Sequence, residues 1–85
     1  MKEFSYVVTD LEGIHARPAG MLTKEAGKFA STIKITKGDK ISDAKKIFAV
    51  MGLGVKKGES VKISAEGADE SAAIGALQDF FKRNL

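Results

Sequence analysis

The order and periodicity of this 85-residue sequence predict an α+β fold, an antiparallel sheet covered on one face by helices. Three observations carry that prediction. Short segments alternate apolar and polar residues as half-buried strands do, while others carry apolar residues at helical spacing. The two kinds follow one another as β-α-β-β-α-β-α. Strands with one polar face fit an antiparallel sheet better than a parallel sheet buried on both sides. Periodicity leaves the strand order open, and a ferredoxin-like split βαβ arrangement competes on element order alone.

Phe4-Ser5-Tyr6-Val7-Val8 reads as the first strand, with Phe4, Tyr6 and Val8 on one face. Asp10-Leu11-Glu12-Gly13 is a loop. From Ala16 to about Ala30 the residues Ala19, Leu22, Ala26, Phe29 and Ala30 keep helical spacing. Pro18 falls in the first turn, where a missing N–H costs nothing. Thr32-Ile33-Lys34-Ile35-Thr36 alternates cleanly, and the turn Lys37-Gly38-Asp39-Lys40 joins it to a short strand around Ile41, predicting a hairpin. A short helix follows at Ile47–Met51, punctuated by Gly52 and Gly54. Beyond the turn Lys56-Lys57-Gly58, the stretch from Ser60 to Glu66 points Val61, Ile63 and Ala65 inward. Asp69 is expected to cap a last helix whose apolar face is Ala73, Ile74, Leu77, Phe80 and Phe81, with Lys82 and Arg83 complementing the dipole at its end.

No linker, repeat or low-complexity tract divides the chain, so residues 1–85 are expected to form one domain. With no Cys and one His, a disulfide or a transition-metal cage is excluded as a support for the fold, and no metal or cofactor is expected. No apolar run approaches the roughly 20 residues that span a bilayer, and no signal-peptide core is present, so a cytoplasmic protein without membrane insertion is expected. The formal net charge of +3 favours encounter with acidic partners. Scarce aromatics and the lack of an arginine-rich stripe argue against nucleic acid.

The only histidine, His15, sits in Gly13-Ile14-His15-Ala16-Arg17-Pro18-Ala19-Gly20, at the start of the first helix. The first amides of a helix lack intrahelical partners, and the macrodipole favours negative charge there. An anion bonded to His15 would meet free N–H donors, with the planar cation of Arg17 beside it. That is the chemistry of a phosphoryl group held on a histidine. A plain surface histidine or helix cap is the bland reading of His15, and a solvated side chain that of Arg17.

Three stretches resemble the HPr family, the histidine-containing phosphocarriers of the bacterial phosphoenolpyruvate–sugar phosphotransferase system. They are Gly13–Ala19, similar to the family's phosphorylation site, Lys45–Gly54, similar to its regulatory region, and Ile63–Glu70, leading into the last helix. The likeness runs nearly end to end. It implies an open-faced β-sandwich, a four-stranded antiparallel sheet in the order 1-4-2-3 under three helices.

The resemblance also implies roles. His15 would accept the phosphoryl group on Nδ1 from phosphorylated enzyme I and pass it to the A components of sugar permeases, as a monomeric carrier and not as an independent turnover enzyme. Arg17 would stabilise the phosphoryl charge, and the amides of Ala16 and Arg17 would bind it. Gly13 would allow the turn that presents His15. Ile47, Phe48 and Met51 on the short helix would form part of the docking surface, with Phe48 and Met51 as exposed anchors and Lys24 at the rim. Ile47 also fits a core position, and Lys24 an ordinary solvated lysine.

Lys46 stands where many relatives carry a regulatory serine. Lysine cannot form that phosphate ester, so no regulatory site is assigned, and a helix cap is lost with the serine. Ser42 and Asp43 could start the short helix earlier. A related carrier in a nitrogen-related or regulatory relay is the nearest alternative. A regulatory binding module that carries no phosphate is an alternative of a different class, against which the retention of His15 argues.

Overall fold

In the computed structural model, which describes residues 1–85, seven elements follow in the expected order. They are β1 (Lys2–Val7), α1 (Ala16–Ala26), β2 (Thr32–Lys37), β3 (Lys40–Asp43), α2 (Ile47–Met51), β4 (Ser60–Glu66) and α3 (Glu70–Asn84). The strands form one antiparallel sheet in the order β1-β4-β2-β3. The sheet is open, and the strand order that periodicity left free is 1-4-2-3. No helix is long and apolar enough to cross a membrane.

Register explains the layering. Ile63 on the central strand β4 faces Phe4 of β1 on one side and Ile35 of β2 on the other. Residues directly opposed across a ladder share a face of the sheet. Tyr6 and Val61 therefore join this row, as do Ala65 and Ile33. The helices cover that face, and Ile33, Ile35, Val61, Ile63 and Ala65 are buried beneath them. The opposite face carries Glu3, Ser5, Lys34, Lys62 and Ser64 and stays open to water.

Phe81 of α3 sits at the centre of an aromatic group, edge-on to Phe4 at 5.7 Å, to Tyr6 at 5.5 Å and to Phe80 at 6.0 Å between ring centroids. Burying a large apolar side chain fully contributes about 1.5–3 kcal/mol. Leu22, Leu77, Val50 and Phe81 supply that from the three helices.

Helix α1 ends at Ala26, four residues short of the expected Ala30. Gly27 donates its amide to Thr23 O, and Lys28 and Phe29 then close tighter turns onto Glu25 and Ala26. The cause lies across the chain. Asp69 accepts hydrogen bonds from the amides of Ala30 (2.8 Å) and Ser31 (2.9 Å) and from the Ser31 hydroxyl. Phe29 still packs against the core, but from the loop, and Ala30 is exposed.

Asp69 occupies the position before α3 without capping it, because its carboxylate is committed to residues 30 and 31. Glu70 reaches back to the Gly67 amide at 3.2 Å instead. β1 likewise ends at Val7, although Val8 is buried and bonded to Glu59 O at 3.0 Å.

Lys46 is the residue flanking α2 and makes no side-chain cap. Neither Ser42 nor Asp43 starts that helix early, since both belong to β3. Asp43 turns its carboxylate to the Lys45 amide at 2.9 Å, and Lys45 Nζ donates to Phe29 O at 2.7 Å.

The Ser31 hydroxyl, then the Ala30 and Ser31 amides, hold the Asp69 carboxyl below its ordinary value of 3.8. A depressed carboxylate stabilises the fold fully above its unfolded value, and the contribution is lost as pH falls through the folded one. Asp69→Asn is therefore expected to be less stable than the natural protein in urea at pH 7. The difference should shrink steadily below about pH 3.8; a difference independent of pH would contradict this account.

Candidate functional site

Gly13 builds the site from below. Its φ of 68° is one that side chains rarely adopt, and a Cβ there would lie 2.2 Å from Val55 O and 2.8 Å from Lys56 Cα. Glycine is required on both counts. The next residue, Ile14, donates its amide to Val55 O at 3.0 Å and buries its side chain to 4 % exposure. His15 follows at the boundary, with 32 % of its side chain exposed.

The floor under this loop is itself held. Lys37 Nζ donates to Leu53 O at 3.1 Å and to Gly54 O at 3.0 Å, and lies 3.1 Å from Glu59 Oε1. Glu59 also accepts the Lys56 amide at 2.7 Å. That amide bond, with Lys37 beside it, holds the Glu59 carboxyl below its ordinary value. On the other side, the Thr9 hydroxyl and the Asp10 amide donate to Leu85 O at 2.9 and 3.0 Å.

His15 stands immediately before α1 in extended conformation, and its carbonyl accepts the first helical bond from Ala19 at 2.9 Å. The amides of Ala16 and Arg17 have no acceptor within the chain, and Pro18 has no N–H to offer. Pro18 and Ala19 are buried, so the first turn rests on the core while its free amides face outward. The Arg17 guanidinium forms no ion pair or hydrogen bond with the rest of the protein.

A shallow depression of about 80 Å3 is lined by Asp10, His15, Arg17, Pro18, Met21 and Asn84. Two of the sequence candidates, His15 and Arg17, thus meet at one site. Outside the depression, Glu12 Oε2 lies 3.2 Å from His15 Nε2. A carboxylate there favours a proton on Nε2, since a lone pair would face a second acceptor. In a neutral ring the nucleophilic lone pair then belongs to Nδ1. An imidazole lone pair, two unpaired amides and a free guanidinium can together accept and stabilise a phosphoryl group.

The docking candidates divide. Phe48 projects with 80 % of its surface exposed, whereas Ile47 and Met51 are partly buried and pack against the core. Ile47 Cδ1 lies 3.4 Å from where a Cβ on Gly20 would be, which lets α2 approach α1 closely. Lys24 is exposed on α1 and Lys46 exposed beside α2.

Four residues at or beside the site were not singled out in the sequence. Met21 lies on the helix face that periodicity marks as solvent, and Asn84 is brought in from the far end of the chain. Asp10 and Glu12 carried a local signal, the Asp-x-Glu-Gly pattern of a carboxylate that accepts the amide two residues on. That bond forms, from the Glu12 amide to Asp10 Oδ1, at 2.9 Å.

Residues 2–83 match the family model described as the PTS HPr component phosphorylation site. The phosphocarrier protein HPr of Mycoplasma capricolum is 44 % identical over 78 residues, covering 92 % of this chain and 88 % of that protein. Among solved structures, HPr from Thermoanaerobacter tengcongensis superposes with a TM-score of 0.92 at 45 % identity, covering 96 % of this chain and 92 % of that one. A Mycoplasma histidine-containing phosphocarrier protein superposes with a TM-score of 0.91 at 42 % identity, covering 93 % and 90 %.

Gly13→Ala tests the foundation of the site. Placing a side chain in the left-handed region costs about 1–2 kcal/mol, and the approach to Val55 O adds to it. Urea unfolding should show a loss of about 2 kcal/mol or more, and the His15 ring resonances should shift with it. Unchanged stability would mean that the loop relaxes freely.

Proposed function

Because the chain belongs to the HPr family of phosphotransferase-system phosphocarriers, we propose that His15 accepts a phosphoryl group from phosphorylated enzyme I and hands it to the A components of sugar permeases. The observation that supports this most directly is the meeting of His15 with the unpaired guanidinium of Arg17 on one open depression at the start of α1.

The Nδ1 lone pair of His15 attacks phosphorus in line as the donor's N–P bond breaks, and the donor histidine takes back its electron pair. Arg17 and the amides of Ala16 and Arg17 neutralise charge on the phosphoryl oxygens during the exchange. The reverse exchange with an acceptor histidine empties the carrier again. Each partner shares the work of positioning. A carrier must release what it binds, and a shallow open site suits that need where a deep pocket would oppose it. No cofactor or metal enters the step. The same transfers could serve a nitrogen-related relay, and comparing transfer to purified A components of both kinds separates the two.

Docking in this reading uses the projecting Phe48, flanked by the partly buried Ile47 and Met51, with Lys24 adding charge at the rim. The relay runs in the cytoplasm. Lys46 has no hydroxyl to esterify, so regulation by a serine-directed kinase at this position is absent.

Purified protein mixed with enzyme I and phosphoenolpyruvate should gain an acid-labile phosphoryl adduct, read by intact mass. His15→Ala should gain none, and Arg17→Gln should charge roughly a hundredfold more slowly. A wild type that takes up no phosphoryl group, or a His15→Ala variant that still does, would refute the proposal.

Phe48→Ala probes docking separately. It should raise the KM for phosphorylated enzyme I by about tenfold with kcat little changed, as expected for a contact worth about 1.4 kcal/mol. An unchanged KM would remove Phe48 from the interface.

A further inference from the structure

We propose that Glu12 is a positioning residue for phosphoryl transfer, holding the Nε2 proton of the His15 ring and offsetting the positive charge the ring gains when Nδ1 is phosphorylated. This rests on the reading of His15 as the carrier and adds a role to a residue outside the phosphate-binding group.

The placement of Glu12 is built into the backbone. Its amide donates to Asp10 Oδ1 at 2.9 Å, the Gly13 amide donates to Asp10 O at 3.0 Å, and the positive φ of Gly13 turns the chain back. Its side chain, 72 % exposed, thereby brings Oε2 to 3.2 Å from His15 Nε2. Glu12 is the one carboxylate within ion-pair distance of the ring. It does not line the depression shared by His15 and Arg17, so its charge stays off the surface where phosphoryl oxygens gather. Arg17, unpaired, is left free for those oxygens. The cation thus lines the depression, and the anion meets the ring outside it.

The chemistry makes that division useful. As Nδ1 bonds to phosphorus, the ring keeps its Nε2 proton and becomes a phosphoimidazolium. When the N–P bond breaks toward an acceptor, the electron pair returns to Nδ1 and leaves a neutral imidazole still protonated on Nε2. No proton moves in either direction. Were Nε2 to lose its proton, the leaving group would be an imidazolate, and the N–P bond would be far less labile. A carboxylate beside Nε2 favours the protonated, transferable form of the phosphorylated ring, as the aspartate of a catalytic triad orients its histidine and stabilises the imidazolium that forms. The other charged side chains lining the depression beside the ring are Asp10 from the same loop, whose carboxylate is engaged by the Glu12 amide, and Arg17 from α1. Helix α3 contributes the neutral Asn84, and residues 55 and 56 contribute backbone beneath Gly13.

The test charges wild type, Glu12→Gln, Glu12→Ala and, as a net-charge control, Asp39→Asn in the exposed β2–β3 turn. Each is phosphorylated with enzyme I and phosphoenolpyruvate. Phosphorus NMR then follows the phosphohistidine resonance and its spontaneous hydrolysis against pH. For an exposed charge pair, both Glu12 variants should move the midpoint down by roughly half a pH unit. Hydrolysis above the midpoint should then slow by about threefold, the same half unit as a population ratio. Asp39→Asn should superpose on wild type. Glu12 variants that titrate with a charged wild type overturn the role of Glu12, as does an equal shift in Asp39→Asn. A wild type that never charges refutes the carrier reading instead.

Discussion

One backbone contact underlies the rest of the site, the approach of Gly13 and Ile14 to the carbonyl of Val55. The Ile14 amide bonds to that oxygen at 3.0 Å, and Gly13 lies so close to it that no side chain fits. This ties a loop that would otherwise be free to a segment held by the sheet and by Lys37. An ammonium group has three protons, and Lys37 finds three acceptors for them, Leu53 O, Gly54 O and the Glu59 carboxylate. The loop after α2 is thereby fixed to the end of β2 and the entry to β4, and the His15 loop rests on it.

Above that base the chain changes character within a single turn. Ile14, Pro18 and Ala19 are buried, whereas Ala16 and Arg17 are exposed. Burial of one side of the turn supplies rigidity, and exposure of the other leaves donors unsatisfied by protein. A helix whose first amides were capped by a side chain would have nothing to offer an anion. His15 fills the capping position without using its ring to cap, which keeps both the amides and the imidazole available. Arg17 follows the same logic, a guanidinium with no partner in the chain. These properties suit the proposed role, in which the surface receives a charged group briefly and gives it up to another protein.

Long-range carboxylates shape the frame in the same way. Asp69 pulls residues 30 and 31 out of the path of α1, which is why that helix is shorter than its apolar repeat suggests. Asp43 stabilises the turn before α2 and not the helix itself, so Lys46 stands at an uncapped start. In both cases a residue with the right chemistry for a local cap serves a different amide, because the folded chain offers a partner that the linear sequence does not display.

Much was therefore legible in the residues, and the boundary has a physical basis. Alternation in β4 and the helical repeat in α3 depend only on which side of an element meets apolar surroundings, so the element order and most of the core could be read directly. His15 and Arg17 were readable because their meeting is local, two residues apart at a helix start. Periodicity could not give the strand order, since it depends on which strands pair, and Ile63 can face both Phe4 and Ile35 only once β4 lies between them. The order 1-4-2-3 came from the family resemblance, and the sheet has it. Glu12 and Met21 flank the site through a loop turn and a helix face that no apolar repeat marks. Asn84 arrives from the opposite end of the chain. The sequence by itself determined the fold class, the pairing of His15 with Arg17 at a helix start and the glycine before them, because each is set by neighbouring residues. The strand order, the true end of α1, the support from Lys37 and the carboxylate beside His15 were decided by tertiary structure, because each requires groups that meet only when distant segments pack or a loop is turned to a fixed angle.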